Sequence, residues 1–243
     1  MNQSIKIPTY ILDIAFVGTT FYGWQSQTGG NTVQNKLEKA LSTFLKSDIK
    51  VMGASRTDSG VHADSFTAIF STSEKFDRFI WGQSLAALLP EDISVRNISI
   101  APEGFHPITS SNAKAYRYRL WMDHVRHPML APYVWRVSPH LDVERLADAL
   151  KNFVGRHDFT SFCASNSTAK THERTVLEIK VIQHGSLIDI WVVGEGFLKQ
   201  MVRNLVGTAV EIALGKYEAD EISGIFAAKD RTKAGQTAPA LGL

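Results

Sequence analysis

The sequence predicts an α+β protein in two halves, each a sheet, antiparallel or mixed, with helices packed on one face. Three observations lead there. Both halves interleave segments whose apolar residues alternate, as in strands, with segments whose apolar residues recur every three or four positions, as in helices. With 243 residues, 44% hydrophobic and 21% charged, the chain has the material for one large domain or two modest ones. Between an alternating segment on either side, Pro102 and Pro107 interrupt the pattern and divide the chain into residues 1–104 and 105–243.

In the first half, YILDIAFVG (10–18) reads as a strand of mixed burial ended by Gly18. Asn31 or Thr32 caps a helix in which Val33, Leu37, Leu41 and Leu45 recur at helical spacing. Residues 49–52 form a short strand leading into the polar stretch GASRTDSGVHAD (53–64). SFTAIFS (65–71) is a strand, RFIWGQSLAALL (78–89) a helix and ISVRNISI (93–100) an alternating strand. The second half repeats the mixture. AYRYRLWM (115–122) alternates, LDVERLADALKNFVG (141–155) is an amphipathic helix stopped by Gly155, and residues 175–194 are two strands joined at His184-Gly185-Ser186. FLKQMVRNLVGTAVEIALG (197–215) is a long helix that Gly215 stops. No repeat is visible in the residues themselves, so any kinship between the halves lies at the level of the fold.

Composition narrows the function classes. The 26 basic residues nearly balance the 24 acidic ones, so net charge names no partner. Between Asn112 and Arg136, however, Lys114, Arg117, Arg119, Arg126 and Arg136 face the single acid Asp123 and interleave with Tyr116, Tyr118, Trp121, Tyr133 and Trp135. That pattern suits either a strand with a salt-bridged outer face or a nucleic-acid surface, where cations offset phosphate and flat rings stack on bases. Cys163 is the only cysteine, so no disulfide framework is expected. The first 16 residues lack the layout of a secretory leader, and no apolar run approaches the roughly 20 residues of a membrane span. The expectation is a cytoplasmic protein. Gly29-Gly30 precedes a helix without the lysine of a phosphate loop, and neither a dinucleotide fingerprint nor a serine-nucleophile elbow occurs. No cofactor is expected.

The chemistry-bearing residues concentrate in residues 53–64. An ionised Asp58 serves as a nucleophile or base, and Arg56, two positions earlier, shares its side in an extended chain and favours the charged form. The other reading is an aspartate that caps a turn beside an exposed arginine. His62 and Asp64 have the His-x-Asp spacing of some metal sites, but no third and fourth ligands accompany them. No metal is expected, and His62 is read as bonded to backbone in a tight loop. His157 and Asp158 are read as a turn at a helix end. Arg203 sits among apolar residues of a helix, either as a solvated position or as a charge aimed at a carboxylate or phosphate; Gly207, one turn on, permits close approach of a backbone or ligand.

Together these residues resemble the tRNA pseudouridine synthase A family. SRTDSGVHA (55–63) is similar to its nucleophile loop Gly-Arg-Thr-Asp-Ala-Gly-Val-His-Ala, with Ser55 and Ser59 in place of glycine and alanine. GTTFYGWQSQ (18–27), FHPITSSNAKAYRYRL (105–120), DFTSFCA (158–164), GFLKQMVRNLVG (196–207) and TAPALGL (237–243) resemble its other blocks in order, so the likeness spans nearly the whole chain. The resemblance implies two pseudo-symmetric halves with the active-site cleft between them, and isomerisation of uridine to pseudouridine at positions 38 to 40 of the tRNA anticodon stem-loop. It implies Asp58 as the catalytic carboxylate, Tyr116 against the target base, Arg203 paired with the nucleophile and Arg56 holding a flipped nucleotide. It also implies a homodimer, tRNA as partner, no metal and no cofactor. In the family the chain continues past Ala-Pro-Ala-x-Gly-Leu into a last strand; the sequence here ends at Leu243.

Overall fold

A computed structural model describes residues 7–74 and 80–243. They fall into two compact units, Met1–Ser111 and Asn112–Leu243, and each has its own sheet and core.

The first unit holds strands β1 (Thr9–Phe16), β2 (Val51–Gly53), β3 (Ala63–Ser71) and β4 (Ile93–Ile100) and helices α1 (Val33–Leu45) and α2 (Trp81–Leu88). The sheet order is β2-β3-β1-β4, antiparallel throughout. In β1, Leu12, Ile14 and Phe16 point to one face and are buried with Val33, Leu37, Leu41 and Leu45 of α1 and Leu85 of α2. That single shared face is why α1 needs only one apolar stripe. Thr32 is the cap: its hydroxyl accepts from the Asn35 N–H, whereas the Asn31 amide donates to Thr20 O. The strand expected at 65–71 starts two residues earlier, because Phe16 also pairs with Ala63. Of the helix expected over 78–89, residues 78 and 79 lie outside the described residues, and Trp81–Leu88 form α2 between the flanking Ile80 and Leu89.

The second unit comprises β5 (Lys114–Met122), β6 (Trp135–Val137), β7 (Gly155–Asp158), β8 (Glu173–His184) and β9 (Leu187–Gly194), with α3 (Val143–Lys151), α4 (Met201–Ala213) and α5 (Glu221–Ala228). Its order is β6-β5-β9-β8-β7; the short β6 runs parallel to β5 and every other pair is antiparallel, so the sheet is mixed. Tyr118, Leu120, Ile188, Ile190 and Val192 bury one face with Leu146, Ala149 and Leu150 of α3 and the length of α4. On the other face Arg119 bridges Asp189 at 3.1 Å and Arg117 lies 5.3 Å over the Trp191 ring, the salt-bridged strand of the two readings above.

Three expectations are corrected. The helix of 141–155 ends at Lys151: Leu141 and Phe153 are buried and prolong the apolar rhythm beyond both helix ends, but Gly155 at φ +110° opens a strand. His157 and Asp158 therefore lie in β7, paired with Arg174 and Glu173 of β8, and not in a helix-terminal turn. The helix of 197–215 begins at Met201, because Gln200 adopts the left-handed conformation at φ 60°; its end at Gly215, φ +76°, is as expected. Among the described residues no helix is long and apolar enough to cross a membrane.

Candidate active-site loop and the arginine helix

Residues 54–62 connect β2 to β3 with no regular structure of their own, so other parts of the chain must hold them. The holder is the segment Gly18–Trp24. The Trp24 N–H donates to Thr57 O at 3.3 Å, and Phe21 O accepts both the Gly60 N–H and the Ser59 hydroxyl at 3.2 Å. Between these bonds the backbones nearly touch. A Cβ on Gly23, whose φ is +85°, would stand 2.5 Å from Thr57 O and 3.0 Å from the Asp58 carbonyl carbon. One on Gly18 would stand 1.9 Å from Val61 O. Glycine is required at both places because the neighbour is backbone and cannot rotate away. Within the loop, the Val61 N–H closes a turn on Asp58 O, with Gly60 at φ +80°. Arg56 is exposed and Asp58 half-buried.

His62 takes the role read from the sequence: its Nδ1 accepts the Gly18 N–H at 3.1 Å. That bond fixes Nδ1 as an acceptor, hence unprotonated in this arrangement. Asp64 points away from this contact and sits 3.4 Å from Arg96 on the exposed sheet face. Among the described residues no group of three or more His, Cys, Asp or Glu could hold a metal ion.

In the second unit, Arg203 is the one residue of α4 that is not buried. Its Nε donates to Ala238 O at 2.8 Å, and the Ala238 N–H returns a bond to Arg203 O. The segment 234–243 lies along α4 at this level. A Cβ on Gly207 would fall 1.8 Å from Gln236 O, so the close approach expected at that glycine is made by backbone. Behind Arg203 lies a buried polar knot: Asn204 Oδ1 accepts from Thr237 Oγ1 at 2.7 Å and from Arg231 Nη2 at 3.0 Å, while its Nδ2 donates to Phe162 O. The Tyr118 hydroxyl donates to the next carbonyl, Pro239 O, at 2.7 Å. Burial pushes the Tyr118 phenol well above its ordinary pKa, against the smaller pull of the Arg203 charge, so it remains a donor. Tyr116, two residues earlier on the same face of β5, is half-buried edge-on to Phe197, with ring centroids 5.1 Å apart. Beside it, burial lowers the Lys114 pKa.

Arg56 and Asp58 thus belong to the first unit, and Tyr116 and Arg203 to the second. The supporting residues Asn204, Arg231 and Thr237 were not legible as a group, since a buried asparagine and a threonine near a chain end carry no local signature. Gly18 and Gly23, flanking an aromatic pair, did carry a signal: two glycines in a nonrepetitive stretch mark a close approach.

A family model described as tRNA pseudouridine synthase matches residues 14–108 and 149–243. The chain belongs to the tRNA pseudouridine synthase family. Relatives bearing the name tRNA pseudouridine synthase A agree along nearly their whole length. That of Citrifermentans bemidjiense is 39% identical over 233 residues, 96% of this chain and 93% of the relative. The Bacillus licheniformis protein is 41% identical over 234 residues, 95% and 94% of the two chains. The Aquifex aeolicus protein is 38% identical over 240 residues, 98% and 97%. The family is one of isomerases, and its first matched stretch here carries Arg56 and Asp58 with their Gly18–Trp24 holder. The second carries Arg203, Asn204 and the segment packed on α4, and Tyr116 lies between the two.

Proposed function

We propose that the chain isomerises uridine to pseudouridine at positions 38 to 40 of the tRNA anticodon stem-loop, with Asp58 as the nucleophile. The observation that carries this reading is a half-buried aspartate on a loop whose backbone is pinned on both flanks, in a chain of this family. A nucleophile that must meet one atom of a large substrate gains from such a fixed backbone. The reaction breaks the N1 bond between uracil and ribose and remakes it at C5, whose proton is released as N1 gains one. All atoms come from the nucleotide and solvent, so the chemistry calls for no redox group or activated donor. Attack on the ring, attack at C1′ and a glycal route all begin from the Asp58 carboxylate.

The target base has to leave its stack, at a cost of about a few kcal/mol. Arg56, exposed next to Asp58, holds the displaced nucleotide, and Tyr116 lies against the base. Arg203 pairs with the nucleophile, its orientation set by the bond to Ala238 O. The first unit carries the nucleophile and the second the tyrosine and the arginine, with the boundary at Ser111 rather than at residue 104. The enzyme works in the cytoplasm as a homodimer. Tritium release from C5-tritiated uridine in unmodified tRNA tests the reading. Wild type releases tritium, whereas Asp58→Ala falls to background while still binding tRNA. Equal, near-background release by both proteins overturns it.

A further inference from the structure

The segment that holds the Asp58 loop contains an aromatic side chain that the fold does not use. Phe21 and Trp24 are 2% and 1% exposed and build the core of the first unit, but Tyr22 between them is 61% exposed. Its backbone is nevertheless fixed: the Tyr22 N–H donates to Asn31 O at 2.9 Å, and Tyr22 O accepts from Gln27 Nε2 at 3.2 Å. Both chain neighbours touch the nucleophile loop, Phe21 through its bonds from Ser59 and Gly60, and Gly23 by its approach to Thr57 and Asp58. An aromatic ring facing solvent from a pinned backbone, one residue from those contacts on each side, is a platform on the segment that holds the Asp58 loop.

We infer that Tyr22 is a binding subsite for an unpaired nucleobase of the substrate RNA, which stacks on the ring while Asp58 acts on the target nucleotide. The inference rests on the isomerase reading for the identity of the ligand. Its chemistry favours a base over a phosphate, because the ring presents a flat apolar face and supplies no cation. Stacking on such a ring is tolerant of base identity and requires little ordering where the backbone is already held. The ring contributes nothing to the core, so its substitution leaves the fold intact.

The test measures binding of unmodified tRNA transcript to Asp58→Ala protein, with and without changes at residue 22, and multiple-turnover kinetics in the parent. Tyr22→Ala is expected to weaken binding roughly 5- to 150-fold, the range of one base–aromatic stack. Tyr22→Phe and Tyr22→Trp restore binding to within about twofold, and Tyr22→Leu, apolar but without a π face, does not. The slope of log Kd against log salt stays unchanged, since no phosphate contact is lost. Unchanged binding by Tyr22→Ala, equal rescue by leucine, or a slope reduced by about one overturns the proposal. Weakened binding with Tyr22→Ala in a protein that makes no pseudouridine would remove the isomerase reading and leave the stacking subsite; normal catalysis with normal binding would do the reverse.

Discussion

The two units hold their candidate functional residues in opposite ways. In the first, the Asp58 loop is fixed by backbone against backbone: carbonyls of Phe21 and Thr57 accept the bonds, and Gly18 and Gly23 let the chains meet. In the second, Arg203 is bonded to Ala238 of the segment along α4, and side chains hold that segment: Asn204 and Arg231 bond Thr237, and Tyr118 bonds Pro239 O. The backbone-to-backbone bonds of this clamp have no rotamers to lose, the Ser59 hydroxyl and the His62 ring add two side-chain contacts, and the close approach at Gly18 and Gly23 tolerates no added atom. A side-chain knot tolerates small displacements and fails when one polar partner is removed, because the others stay buried and unsatisfied. Each unit should therefore break under a different class of substitution.

The largest effect is expected at Gly18. A methyl there meets Val61 O at 1.9 Å and the Val61 carbonyl carbon at 2.5 Å, all backbone, so the loop itself must move and the Gly18–His62 bond goes with it. Gly18→Ala should destabilise the protein by about 3 kcal/mol and abolish tritium release. Gly82→Ala is the control: nothing lies within 4 Å of a Cβ at that position of α2, and a gain of up to about 1 kcal/mol is expected. Thermal unfolding and the tritium assay read both. Wild-type activity in Gly18→Ala would mean that the clamp does not set the loop.

Next comes Asn204, fully buried. Asn204→Ala strips a partner from Phe162 O, Arg231 and Thr237 at once and should cost about 2–4 kcal/mol. Its sharper readout is local. The Ala238 amide, bonded to Arg203 O, should exchange with solvent much faster, while the Gly60 and Val61 amides of the other unit keep their protection. Unchanged exchange at Ala238 would show that the knot does not hold the segment.

The same contrast explains what was legible in the sequence. Local rhythm revealed most elements: Val33, Leu37, Leu41 and Leu45 mark α1, the alternation of 93–100 marks β4, and Gly185 marks the β8–β9 turn. Rhythm misled where apolar residues continue past a helix, as at Leu141 and Phe153, or where a residue with no turn signature turns the chain, as Gln200 does. It missed β6, three residues paired in parallel, and α5, two turns long with Gly224 inside. For the candidate site, residue type left Asp58 open between a nucleophile and a turn cap, and the family resemblance alone singled it out, whereas the backbone bond of His62 was legible from the tight loop around it. The identity of the holder was not, because contacts between distant segments leave only glycines as their trace. Gly207 is the same case: the approach was legible and its partner, Gln236, was not.

The smallest expected effect separates the units by pH. Asp158 in β7 accepts from Lys229 at 2.8 Å and from the Thr160 hydroxyl and N–H, which hold its pKa at about 2 against an ordinary value of 3.8. A depressed folded-state pKa contributes stability above the unfolded value, and that contribution is lost as pH falls through the folded one. The window is therefore about pH 4 down to pH 2. Lys229 is largely in solvent, so screening reduces the contribution to about 1 kcal/mol. Wild type should exceed Asp158→Asn by this amount in denaturant unfolding at pH 6 and low salt, and the gap should close between pH 4 and pH 2. Raising the salt should narrow the gap at pH 6, as it does for exposed ion pairs. The Gly60 N–H bond to Phe21 O joins two backbone groups that do not titrate, so exchange protection of the Gly60 amide should not follow this curve. A gap that persists at pH 2 would mean that Asp158 acts through its hydrogen bonds to Thr160 in either charge state, and the contrast between the units would then rest on packing alone.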